Sequence, residues 1–395
     1  MASAIPLPDN GGNIDNGRSA RIKQLDVLRG VAVLLVLGHH KRIAGFLSQG
    51  GWCGVDLFFV LSGFLVSGLL FAEFRKTGRL NVMRFLIRRG FKIYPSFYFF
   101  LAVTMAGSAL MTGKRPPWDG YLSEIFFLQN YRNPVWGHTW SLAVEEHFYL
   151  MLAATLFFLF VKKAGSADPF RPMVRIFIAV ASTLLLLRFL NFIWRPYAYH
   201  THHYPTHLRI DSLLFGSLLA YFHHFHADAT HALVNKHRIG LGAFGMMAVL
   251  PPFLFIQEGM VINTFGFVLL YLGFGSLLLL SLHWEGARLK EGLGKIDFIF
   301  RPVSVIGFYS YTIYLWHLPV RDYAKKILDM AWRGSIPYPL EVVIYITGSI
   351  VVGIVASKMI EWPFLRLRNW LFPSLALSSR AEGRAYPASL EVGTI

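Results

Sequence analysis

Long apolar runs alternate with short polar breaks along this chain. Runs at 31–38, 54–72, 97–111, 148–161, 176–194, 239–256, 261–282, 303–320 and 341–357 carry few charges. Most approach the roughly 20 residues that a bilayer-spanning helix requires. Extending the runs to their polar flanks, with a further segment at 207–225, predicts ten spans. They lie at about 25–47, 54–74, 86–107, 139–161, 174–194, 207–225, 239–256, 261–282, 303–320 and 339–360. The expected fold is all-α, a polytopic integral-membrane bundle of about ten transmembrane helices. Residues 21–370 form its transmembrane domain. Residues 1–20 are polar and lack an apolar signal-peptide core, so they are expected to form a disordered cytoplasmic tail, and 371–395 a second cytoplasmic tail.

Composition supports this reading. Of 395 residues, 54% are hydrophobic and 15% charged, against about 25% charged in soluble domains. The net charge of +16 does not point to nucleic acid, because the basic residues sit mainly at the ends of apolar runs, where topology signals belong. Leaving out Arg29, Arg188 and Arg209, 25 Lys and Arg fall on the N-terminal side of the ten spans and 10 on the other. The excess places both termini in the cytoplasm. A single cysteine, Cys53, excludes an internal disulfide framework.

Ionisable residues inside the apolar segments carry the candidate chemistry, since a charge at a helix centre in a bilayer costs at least ~2.5 kcal/mol. In "LDVLRGVAVLLVLGHH" (25–40), Arg29 and His40 are eleven positions apart. That is a rotation of about 20° after whole turns, so both occupy one face, about 16 Å apart along the axis. His39 points to the side, and Asp26 is placed to pair with Arg29. A packing histidine bonded to a carbonyl is the plain alternative to a catalytic base. Span three opens with "RRGFKIYPSFYF" (88–99), with Pro95 expected in its first turns. Arg88, Arg89 and Lys92 there suit phosphate groups, or a topology anchor beside anionic lipid.

"WGHTWSLAVEEHFYL" (136–150) places Glu145 and Glu146 at the head of an apolar helix, with Ser141 on the face of Glu145. A carboxylate beside an imidazole orients a catalytic base, which makes Glu145, and secondarily Glu146, candidate partners of His40. The alternative is an acidic pair favoured by the helix dipole. In "GVDLFFVLSGFLVSG" (54–68), Gly63 and Gly68 permit close helix approach, and Asp56 marks the outer end. Arg209 and Asp211, two apart, do not face one another and are expected to meet different helices. His317 in "YSYTIYLWHLP" (309–319) fits an interfacial aromatic belt. The histidines of "HTHHYPTH" (200–207) lack dedicated metal spacing, and no metal is expected. A transporter would also carry intramembrane charges, but no repeat or pair of broken helices favours one.

Taken together, these stretches resemble the integral-membrane acyltransferase-3 family over about 21–368. The resemblance rests on Arg29 with His40 eleven positions later, "GVDLFFVLSGFL", Arg89-x-x-Lys92 followed by "IYP", "WSLAVEEHFYL", "RIDSLLFGSLLA" and "YSYTIYLWHLPV". It implies a ten-helix bundle in a bacterial inner membrane and an acyl-CoA donor, usually acetyl-CoA, supplied from the cytoplasm. The acceptor it implies is a hydroxyl of a carbohydrate or lipid-linked glycan. It also implies that Arg29, His40 and the basic motif of span three are essential. Two departures stand out: Lys92 replaces a usual arginine, and His147 replaces a common glutamine. Completion of transfer in this domain, by a homo-oligomer or through a separate periplasmic partner, stays open. So do the roles of His39, Asp56, Arg209, Asp211 and His317.

Overall fold

A computed structural model describes residues 23–112, 117–132, 134–163, 165–283, 297–331 and 336–373. The expected N-terminal tail 1–20, and the expected C-terminal tail from 374 onward, lie outside the described residues. All regular structure among the described residues is helical. In chain order the helices are α1 (Lys23–His40), α2 (Gly45–Gly50), α3 (Gly54–Thr77), α4 (Val82–Thr112), α5 (Trp118–Ile125), α6 (Trp140–Lys162), α7 (Met173–Trp194) and α8 (Ile210–Phe225). There follow α9 (Ala227–Val249), α10 (Pro251–Leu254), α11 (Phe267–Leu282), α12 (Asp297–Phe308), α13 (Ser310–Ala331), α14 (Tyr338–Ala356) and α15 (Trp362–Leu371).

Among the described residues, six helical stretches are long and apolar enough to cross a membrane: Gly45–Thr77, Val82–Leu110, Trp140–Lys162, Met173–Trp194, Ile262–Leu282 and Tyr338–Leu371. The other four expected spans are helical but shorter or more charged. α1 carries Lys23, Asp26 and Arg29 within 18 residues, and α8 has 16 residues. α9 stops at Val249 because Pro251 and Pro252 start a separate turn, α10. The stretch 303–320 is divided at Tyr309 between α12 and the charged α13. α4 also differs from expectation. Asn81 caps it, its Oδ1 accepting the Arg84 N–H at 2.9 Å. The helix therefore starts at Val82, and Pro95 lies well inside it rather than in its first turns.

α3 is apolar on all sides and buried over most of its length, as expected of a helix at the centre of a bundle. It packs most closely on α8, while α1 packs on α12. Both crossings are set by glycine. A Cβ on Gly63 would lie 1.9 Å from the Leu213 carbonyl oxygen, and one on Gly216 would lie 2.1 Å from that of Val60. At the second crossing, Gly30 meets Val303 and Gly307 meets the Asp26 carbonyl in the same way. Small residues let membrane helices approach to backbone contact. α7 instead leaves Ile178, Leu186, Phe189 and Ile193 exposed, an outward apolar face of the kind lipid covers.

Two fully buried ion pairs tie α8 to its neighbours. Arg209 at its start meets Asp56 of α3 at 2.7 Å, and Asp211 meets Arg188 of α7 at 2.5 Å. Arg209 and Asp211, two positions apart, thus reach different helices, as their spacing predicts. The Arg209 guanidinium also lies 3.9 Å from the Phe267 ring centroid. Breaking such a pair from one side leaves an uncompensated buried charge, typically worth about 3–5 kcal/mol.

The connections sort into two groups. At one end, Lys41 bonds Glu341, Gln49 bonds the Phe255 carbonyl, and Tyr199 bonds Gln257. At the other, Arg75 bonds the His224 carbonyl, Tyr221 bonds Asp168, and Arg88 bonds the Phe372 carbonyl.

Candidate active site

α1, α3, α4, α6 and α13 line a partly open cavity of about 80 Å³. Its polar wall gathers Arg29 from α1, Ser62 from α3, Arg89 and Lys92 from α4, Ser141 and Glu145 from α6, and Ser310 and Tyr314 from α13. Its apolar wall is Val55, Phe58, Phe59, Leu61, Leu65 and Val66 of α3. Three cations and one carboxylate therefore face one space lined on its other side by hydrocarbon.

The sequence explains this convergence. Arg89 and Lys92 are three positions apart and share a face of α4. Ser141, Glu145 and Tyr149 are spaced by four along α6 and form one row. The Tyr149 hydroxyl is the hub of the wall. It donates to Glu145 Oε2 at 2.7 Å and accepts from Arg89 Nη2 at 2.6 Å, with Ser62 Oγ also 2.6 Å away. The Arg89 guanidinium lies 4.6 Å from the Tyr149 ring centroid, within cation–π range. Arg29 donates from Nε to Ser310 Oγ at 3.2 Å. Lys92 is 9% exposed, and Arg29, Arg89, Arg368 and Glu361 are its electrostatic neighbours.

Three expected members, Arg88, Glu146 and His40, lie outside this lining. Arg88 does not join Arg89 and Lys92; one position along the helix, it turns away and bonds the Phe372 carbonyl beyond α15. Glu146 likewise faces away from Glu145 and accepts a hydrogen bond from Tyr94 at 3.1 Å.

His40 sits at the far end of α1, outside the cavity lining. Its expected contact with Glu145 or Glu146 is not made: Tyr149 of α6 engages Glu145, and Tyr94 of α4 engages Glu146. His40 Nδ1 lies 2.9 Å from the Val36 carbonyl oxygen. A carbonyl only accepts, so Nδ1 carries the proton and Nε2 holds the free lone pair. His317 Nε2 is 3.4 Å from the same Nδ1. His317 is fully buried and is not the interfacial residue its setting predicts. Its ring also packs 4.8 Å from that of His138. His39 turns aside, as its helical position predicts, and bonds the Ser48 carbonyl at 2.7 Å.

His138 belongs to the turn before α6, and Glu124 of α5 holds that turn. Glu124 Oε1 accepts from the backbone N–H of Val135 and Trp136 at 3.1 and 3.2 Å and from the Thr139 hydroxyl at 2.8 Å. Burial pushes the Glu124 carboxyl up to about 7, against these three hydrogen bonds. Tyr314 donates to the His138 carbonyl at 2.7 Å, and His138 Nε2 donates to the Leu315 carbonyl at 3.0 Å. Tyr149, Tyr314, Glu124 and His138 were not singled out in the sequence. The spacing of four that joins Tyr149 to Glu145 was the available signal for one of them. Among the described residues, no group of three His, Cys, Asp or Glu side chains is arranged to hold a metal ion.

Residues 22–358 match the family described as an acyltransferase domain. The peptidoglycan O-acetyltransferase OatA of Listeria monocytogenes is 26% identical over 368 residues, covering 87% of this chain and 55% of its own. The O-acetyltransferase OatA of Staphylococcus aureus strain NCTC 8325 is 26% identical over 384 residues, covering 91% and 59%. That of strain MRSA252 is 27% identical over 363 residues, covering 86% and 56%. The chain thus spans a little over half the length of these curated relatives. No solved structure matches it. The match over most of its length establishes that the chain belongs to the acyltransferase-3 family.

Proposed function

We propose that this chain is an O-acyltransferase of the bacterial inner membrane. It moves an acyl group, most simply acetyl, from acyl-CoA to a hydroxyl of an envelope carbohydrate such as peptidoglycan. The transmembrane domain is 21–370, crossing ten times, with 1–20 and 371–395 as cytoplasmic tails. The alternating ends of the helices support ten crossings, since the connections collect in two separate groups.

The observation that carries the proposal is the cavity. Arg29, Arg89 and Lys92 supply cations for the phosphates of CoA, and the α3 wall supplies apolar surface for the pantetheine arm and acyl group. Glu145, bonded through Tyr149, holds Arg89 in place. His40 is the general base. Its Nε2 lone pair takes the proton as the acceptor oxygen attacks the thioester carbonyl, and the C–S bond then breaks to release the CoA thiolate, which receives that proton from the imidazolium through water and restores the neutral base. Such base assistance contributes about 10²–10⁴ in rate.

Mass spectrometry of envelope glycans from a deletion strain and its parent tests the reading. Acetylated sugars should disappear on deletion and return with the parental gene but not with His40→Ala. Unchanged acetylation in the deletion strain would exclude this role.

A further inference from the structure

We propose that the partner of the His40 base is a second imidazole, His317, and not a carboxylate. This rests on the assignment of His40 as the base. The hydrogen bonds fix the polarity of the pair. His317 Nδ1 lies 2.5 Å from the Tyr314 carbonyl oxygen; a carbonyl only accepts, so this nitrogen carries the proton. His317 Nε2 is therefore a lone pair, and it faces the protonated Nδ1 of His40 at 3.4 Å. His40 Nδ1–H is shared between the Val36 carbonyl and His317, which leaves His40 Nε2 as the basic nitrogen.

When the acceptor's O–H bond breaks, its proton goes to His40 Nε2. The positive charge then spreads to Nδ1–H, where one carbonyl and one imidazole lone pair accept it. No bond changes at His317; it is a positioning residue that holds the tautomer and stabilises the imidazolium. A carboxylate does the same work elsewhere, but here none contacts either ring among the described residues. The groups facing the pair are His39 at 5.3 Å from the His40 ring, His138 at 4.8 Å and Tyr314 at 5.5 Å from the His317 ring, and Arg321, which bonds the His40 carbonyl at 3.3 Å. The nearby carboxylates Asp322 and Glu341 are engaged by Arg321 and Lys41.

The geometry of the packing favours a fixed pair. His317 is 0% exposed, held by its own helix at Nδ1 and between the rings of His40 and His138. It sits on α13, which also contributes Ser310 and Tyr314 to the cavity. One helix thus supports both the base and the wall facing the donor.

The test uses the full chain in nanodiscs with acetyl-CoA and a soluble oligosaccharide acceptor. Variants H317A, H317Q and H40A are compared for kcat, for KM of acetyl-CoA, and for the pH profile of kcat. Loss of an acceptor to a charged donor should lower kcat of H317A by about 10- to 100-fold, with KM unchanged. The acid limb should move to lower pH, because the imidazolium has lost its partner. H317Q retains an oxygen acceptor for His40 Nδ1–H and should recover most of kcat and the parental limb. Parental turnover in H317A would overturn the pairing, as would an equal loss in H317A and H317Q with an unmoved acid limb. Activity in H40A would overturn the base assignment itself. An inactive H40A beside a parental H317A would remove only the pair.

Discussion

Replacing Tyr149 with Phe removes one oxygen atom from the cavity wall and leaves the ring in place. That oxygen joins Arg89, Glu145 and Ser62 at 2.6–2.7 Å. Two of its three partners are charged, and hydrogen bonds to charged groups contribute about 1.5–3 kcal/mol. The stacking of Arg89 on the ring at 4.6 Å survives. Both freed groups face the cavity, where water replaces part of the lost bond, so about 1.5 kcal/mol remains as loss of placement, or about tenfold in Kd. If Arg89 holds the donor's phosphates, Y149F should weaken acetyl-CoA binding about tenfold in calorimetry at low salt, less at high salt, with kcat at saturation nearly retained. S62A, which takes away only a neutral partner, should weaken it by about fivefold or less. Parental affinity in Y149F would refute the placement of the donor against this wall.

Arg88→Ala should leave donor affinity unchanged while Lys92→Ala lowers it at least about tenfold, because only Lys92 lines the cavity; equal losses in the two would restore the simple basic cluster. Gly216→Ala places a Cβ 2.1 Å from the Val60 carbonyl and should destabilise by about 1–3 kcal/mol, read as a lower Tm in detergent, whereas Gly242→Ala, with its nearest neighbour at 3.7 Å, should not. Glu124 is raised by burial from its ordinary value of 4.5 to about 7. Its folded form binds the proton more tightly, so stability is fullest below 4.5 and declines as pH rises through about 7, by at most about 3 kcal/mol. E124Q should flatten that decline in Tm between about pH 4.5 and 7, and an identical slope in both proteins would exclude it as the source.

The parts of this structure legible in the sequence are those governed by one helix. Arg89 and Lys92 share a face of α4, His39 and His40 diverge on α1, and Gly63 permits a close crossing, all from spacing alone. Arg209 and Asp211 follow the same rule, because two positions on a helix cannot face one another. What the sequence left open depends on how helices meet. The burial of His317 against His40 requires α13 to cross the end of α1, and no local pattern encodes that. The engagement of Glu145 by Tyr149 was visible in the spacing of four, but it competes with a plausible long-range partner. Arg88 was grouped with its neighbours by proximity in sequence, although adjacent helical positions point about 100° apart.

The central claim is that this chain transfers an acyl group from acyl-CoA through His40. The most direct measurement incubates the purified protein in nanodiscs, without an ion gradient, with acetyl-CoA labelled in the acetyl group and an oligosaccharide acceptor. Free CoA thiol and labelled ester should appear together at matching rates, and His40→Ala should lose both while Arg88→Ala keeps both. An intact thioester in the parental protein, or parental transfer in His40→Ala, would contradict the account.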